Sequence, residues 1–143
     1  MMKLTLDLVI NGRLPPPLSA SRARLILRRA MTASGKTAAV LGLAMLTEKQ
    51  MAEKNLTYRR KKGPTDVLSF TYPTPRGSKV VVGDILICPK YAAKLAKEEG
   101  IPVGKEYADL LIHGWLHLTG MDHAKPAQAK RMFALQKRIA QAI

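Results

Sequence analysis

HGWLHLTGMDH, residues 113–123, holds all three histidines of a 143-residue chain. Ahead of it, Val103, Tyr107, Leu110, Leu111 and Leu118 recur at helical spacing, which predicts an amphipathic helix from about Gly104 to Thr119. His113 and His117 are four residues apart, so both rings leave the same helix face and can close on one ion. Gly120 can take positive φ, ending the helix and reversing the chain. His123 follows three residues later, placed to swing back as a third ligand. Three imidazoles suit zinc or a similar borderline divalent metal and leave a coordination position for water. A helical histidine pair alone is more often packing or surface than a site. The third histidine behind a helix-ending glycine turns the pattern into a metal site on a long helix and the turn after it.

Two carboxylates stand close by. Asp109 lies one turn before His113 on the same face, where it can accept a proton from a ligand imidazole and fix its tautomer. Asp122 adjoins His123 and can orient that ring, although an aspartate in a turn needs no such role.

Outward from this window, the chain reads as one α+β domain spanning residues 1–143, a small mixed four-stranded sheet packed with helices. Leu4, Leu6, Leu8 and Ile10 alternate with polar residues as a first strand, and NGRLPPP forces a loop. Ser19 or Ser21 can cap a helix that runs to about Ser34, with Ala23, Ile26, Leu27 and Ala30 inward and Arg22, Arg24, Arg28 and Arg29 outward. Residues 38–46 read as a buried strand. TEKQ (47–50) fits a capping box ahead of a short helix. Residues 66–72 and 79–87 read as strands, Pro89 opens a helix ending at Gly100, and a last helix begins near Pro126. Met31, Met45, Met51 and Met132 are expected in the core as gap-fillers.

Composition narrows the function. Lys and Arg total 24 against 10 Asp and Glu, a net charge of +14 that favours polyanionic partners such as nucleic acid or an acidic membrane surface. No apolar stretch is long enough to span a bilayer, and the first residues read as a strand, not a signal peptide. One cysteine, Cys88, excludes an internal disulfide and makes a reducing cytoplasm the default compartment.

The histidine spacing, with glycine three residues after the second histidine, is also the frame of the metzincin peptidase motif H-E-x-x-H-x-x-G-x-x-H. The peptidase's general-base glutamate would sit at residue 114, which here is Gly114. The metal frame is present and the peptidase's base is absent.

HGWLHLTGMDH resembles the H-G-x-L-H-L-x-G-x-D-H signature of the bacterial YbeY family of rRNA-maturation endoribonucleases. NLTYRRKKGPTDVLSF (55–70) is similar to that family's N-x-x-Y-R…P-T-D-V-L-S-F stretch, and GDILI (83–87) to its G-D-I strand. The resemblance implies a metal-dependent, single-strand-specific endoribonuclease. Its tasks would be ribosomal RNA processing, notably at the small-subunit 3′ end, and ribosome quality control, with the small subunit and its factors as partners and no membrane. It also implies one divalent ion, zinc by preference, on His113, His117 and His123, and a catalytic role for Arg59. An arginine there can pair with a phosphate through two parallel N–H bonds. Arg60, Lys61 and Lys62 would contact backbone phosphates, and Thr65 and Asp66 would shape the groove wall. Tyr58, Phe70, Tyr72 and Trp115 are candidates for stacking on unpaired bases, with Trp115 better suited to the core. Two other readings compete: a metallopeptidase-like hydrolase, and a non-catalytic ribosome-associated RNA-binding factor with a structural metal. Three ligands argue against the latter, because structural zinc usually takes four.

Overall fold

In the computed structural model, which describes residues 3–143, two strand–helix units are followed by two strands and then by three helices. The elements are β1 (Thr5–Asn11), α1 (Ala20–Ala33), β2 (Ala38–Met45), α2 (Glu48–Arg59), β3 (Val67–Thr71), β4 (Val80–Ile87), α3 (Pro89–Glu99), α4 (Val103–Leu118) and α5 (Pro126–Gln141). One sheet forms in the order β1-β2-β4-β3. β1, β2 and β4 run parallel, and β3 lies antiparallel to β4 at the edge. This is the mixed four-stranded α+β architecture that the sequence pattern predicts.

The helix starts follow local chemistry. Ser19 Oγ accepts from the Arg22 N–H at 3.1 Å and opens α1. Thr47 and Gln50 form the reciprocal capping box that opens α2, with bonds of 2.9 and 3.1 Å. α2 is longer than the short helix expected, 12 residues running through Arg59. Glu, Lys, Gln, Met, Ala and Leu fill it, and no breaker intervenes before Gly63. Tyr58 and Arg59 therefore sit on its last turn.

α4 is the central helix. Its Leu111, Ile112, Trp115 and Leu116 are fully buried, against a sheet face carrying Leu41, Leu43, Ile85 and Ile87. Trp115 Nε1 donates to Ser34 Oγ at 2.9 Å, tying α4 to the cap of α1. Trp115 is thus a core residue and is removed from the base-stacking candidates. Met31, Met51 and Met132 are fully buried, while Met45 is half-buried at the core's edge.

Gly114 is where α4 comes closest to the sheet. A Cβ there would lie 2.9 Å from Ile85 Cγ2 and 3.1 Å from Ser69 Oγ. Ser69 Oγ donates to the Gly114 carbonyl at 3.0 Å, so β3 and α4 are also joined by a hydrogen bond. The missing peptidase glutamate has a packing reason: any side chain at residue 114 would have to displace Ile85.

Candidate metal centre

His113 and His117 project from consecutive turns of α4, and Gly120, at φ +96°, turns the chain so that His123 comes back beside them. Among the described residues this is the one group of three able to share an ion, with ligand nitrogens all within 4.8 Å of one another. The Nε2 atoms of His113 and His117 are 3.1 Å apart. Two nitrogens on a tetrahedral zinc ion would stand about 3.3 Å apart given Zn–N bonds of about 2.05 Å. The donor set and its spacing therefore fit a borderline divalent ion.

The rings are held in place by their neighbours. His113 Nδ1 lies 2.8 Å from Gln136 Oε1 on α5. An amide oxygen only accepts, so Nδ1 carries the proton and the Nε2 lone pair faces the cluster. Phe133, one turn earlier on α5, stacks on both His113 and His123, with centroids 6.1 and 5.7 Å away and planes 16° and 20° apart. Burial, outweighing the Gln136 bond, pushes the His113 pKa below its usual value. Burial also lowers that of His117, helped by the neighbouring His113 and His123 rings. Both imidazoles are thus biased toward the neutral, metal-binding form.

The triad opens into a cleft of about 500 Å³. Arg59, at the end of α2, forms part of its wall, as do Tyr58, Thr65, Asp66 and Phe70. Tyr58 and Phe70 meet edge to face with centroids 4.9 Å apart, and Tyr58 is exposed. Tyr72 lies outside this wall, with its hydroxyl donating to Asp84. Arg60, Lys61 and Lys62 are exposed just beyond α2. Arg60 closes that helix in the left-handed conformation, φ 56°. Asn55 Nδ2 donates to the Gly63 carbonyl at 2.9 Å and holds the basic loop against the helix.

The two carboxylates named from sequence stand elsewhere. Asp109 Oδ2 pairs with Lys105 Nζ at 3.0 Å, one turn back along α4, and the partner of His113 Nδ1 is Gln136 instead. Asp122 Oδ1 accepts from its neighbour's backbone, the His123 N–H, at 2.7 Å, closing a local turn. Gln136, Phe133 and Ser69 were not singled out from sequence. Gln136 lies 23 positions from the histidine it holds, and only its place on a one-sided last helix could have marked it.

The family model described as Endoribonuclease YbeY matches residues 18–143. A relative from Mycolicibacterium gilvum (strain PYR-GCK), described as Endoribonuclease YbeY, is 40% identical over 111 residues, covering 71% of this chain and 62% of the relative. A relative of the same description from Mycobacterium tuberculosis (strain ATCC 25177 / H37Ra) is 40% identical over 110 residues, with the same 71% and 62% coverage. The chain thus spans less than two thirds of the length of these curated relatives. The solution structure of a Thermotoga maritima protein superposes with a TM-score of 0.62 at 25% identity, over 94% of this chain and 87% of that one. With its three-histidine signature folded into one cluster and nearly the whole chain matched, this protein belongs to the YbeY family.

Proposed function

We propose that the chain is a metal-dependent, single-strand-specific endoribonuclease. Its work is ribosomal RNA processing, including maturation of the small-subunit 3′ end, and ribosome quality control in the cytoplasm. The observation that carries this reading is the cleft itself: a three-histidine cluster and Arg59 line one cavity in a protein of net charge +14. The names of its relatives supply the reaction class.

Bound to His113, His117 and His123, a divalent ion, zinc by its donor set, supplies Lewis acidity toward a phosphate oxygen. Arg59 offers a guanidinium fork across the cleft to the same phosphate, where negative charge builds during cleavage. Arg60, Lys61 and Lys62 hold flanking phosphates, and Tyr58 and Phe70 offer ring surface to splayed bases. Base stacking on side chains demands unpaired nucleotides, in keeping with a single-stranded substrate. The peptidase alternative loses ground, because its general base would need a side chain at residue 114.

Purified protein incubated with single-stranded RNA and with casein separates the readings. RNA is cut and casein is not. His117→Ala loses both bound metal and cleavage. Arg59→Lys keeps its metal and cuts about 10–100-fold more slowly. Casein cleavage without RNA cleavage would establish the peptidase. Tight RNA binding with no cleavage under any metal would establish the non-catalytic factor.

A further inference from the structure

His113 has a second side. Behind it lies a separate cleft of about 410 Å³, walled by four of the chain's ten carboxylates: Asp66, Glu99, Glu106 and Asp109. Asp66, Val67 and His113 line both cavities, so the two are neighbours. In a chain of net charge +14, a concavity lined by acids is out of keeping with the rest of the surface.

Two of these acids are already engaged. Asp66 Oδ1 accepts from the Val67 N–H at 2.8 Å, and Asp109 pairs with Lys105. Glu106 is different. It is 8% exposed as a residue, it enters no hydrogen bond or ion pair among the described residues, and its carboxylate oxygens are not sealed off from the cleft. A buried carboxylate facing its like, with the one nearby lysine already paired to Asp109, is costly to fold. Its pKa stands at about 7, raised first by burial and then by Asp66, Glu99 and Asp109, with Lys105 opposing. Four acids, with one lysine paired among them, leave the cleft short of positive charge.

The geometry points to a second cation site, which takes a hydrated divalent ion of the magnesium type. Direct chelation is not built here, because among the described residues only the histidines bring three ligand atoms within 4.8 Å of one another. Carboxylates set farther apart than that suit an ion that keeps its water shell, as magnesium does. The cleft has room for such an ion. Its consequence rests on the endoribonuclease reading: an ion held behind His113 cancels the negative charge that would repel an arriving phosphate, so cation and RNA bind cooperatively.

Hexamminecobalt(III) tests this. It mimics a hexahydrated magnesium ion, and its fixed ammine shell prevents it from ligating histidine. The probe is titrated into zinc-loaded protein and followed by the backbone amide NMR shifts. We expect one saturable site centred on residues 99–109, competed by magnesium. Glu106→Gln should weaken it roughly tenfold and Glu99→Gln should also weaken it. His117→Ala protein, which lacks the metal triad, should bind the probe as well as the parent, so failure of the zinc site is told apart from failure of this one. Shifts centred on residues 113–123 overturn the inference. So do both carboxamide variants binding like the parent, or competition by spermidine but not by magnesium.

Discussion

Replacing Gly114 with alanine puts a methyl group into the seam between α4 and the sheet. The new Cβ would lie 2.9 Å from Ile85 Cγ2, about 0.5 Å inside ordinary contact, and 3.1 Å from Ser69 Oγ. Ile85 is 1% exposed and β-branched on a central strand, so it cannot swing aside. Overpacking of this kind costs about 1–3 kcal/mol. If α4 lifts to relieve it, the 3.0 Å bond from Ser69 to the Gly114 carbonyl is stretched, at about 1 kcal/mol. Against this, alanine in a helix is favoured over glycine by about 1 kcal/mol. The balance is a loss of up to about 2 kcal/mol, read as a lower denaturation midpoint at unchanged slope in urea. His113 and His117 ride together on α4, so metal stoichiometry should survive. RNA cleavage should fall more than metal content, because lifting α4 moves both histidines away from Arg59. If Gly114→Ala is instead about 1 kcal/mol more stable than the parent and equally active, helix propensity alone governs the site and the close-packing argument is wrong.

Gln136→Leu removes the acceptor at His113 Nδ1 and should weaken metal binding about 10–100-fold in competition with a chelator, while the fold persists. Glu106 carries a pKa raised from 4.5 to about 7, so its proton is held more tightly folded than unfolded. Its contribution to stability is therefore complete below pH 4.5 and lost as pH rises through 7. Metal-free protein should lose about 1–3 kcal/mol over that window, and Glu106→Gln should flatten the loss, as measured by urea denaturation at each pH. Lys61→Ala with Lys62→Ala should lower the slope of log affinity against log salt for single-stranded RNA by about 1.4, and an unchanged slope would show that neither lysine meets a phosphate.

How far the sequence reached depends on the range of each interaction. Strands, caps and the ligand helix are written in neighbours: the Thr47–Gln50 box, the Gly120 turn and the i, i+4 histidines all lie within a few residues. Those signals placed the sheet elements and the histidine cluster. The partner of His113 was not legible, because Gln136 reaches it from α5 across 23 positions. Asp109 looked closer in helical spacing, yet Lys105 lies on the same face and takes its charge. Gly114 stood out in sequence only as a departure from the peptidase motif. Its cause, the approach of Ile85 from β4 and Ser69 from β3, exists only once the sheet has assembled. The acidic cleft is likewise drawn from α3, α4 and the residue before β3, which no local pattern links.

The three histidines are unevenly mounted. His113 and His117 are set by one rigid helix rooted in the core through Trp115, whereas His123 hangs on the exposed turn beyond Gly120. An arriving ion can therefore be caught by the fixed pair before the third arm folds over it, and departure begins with that arm swinging open. Exchange then proceeds at one hinge without unfolding anything, and the rate at which the ion comes and goes should be set by residues 120–123 far more than by the strength of the helix beneath them.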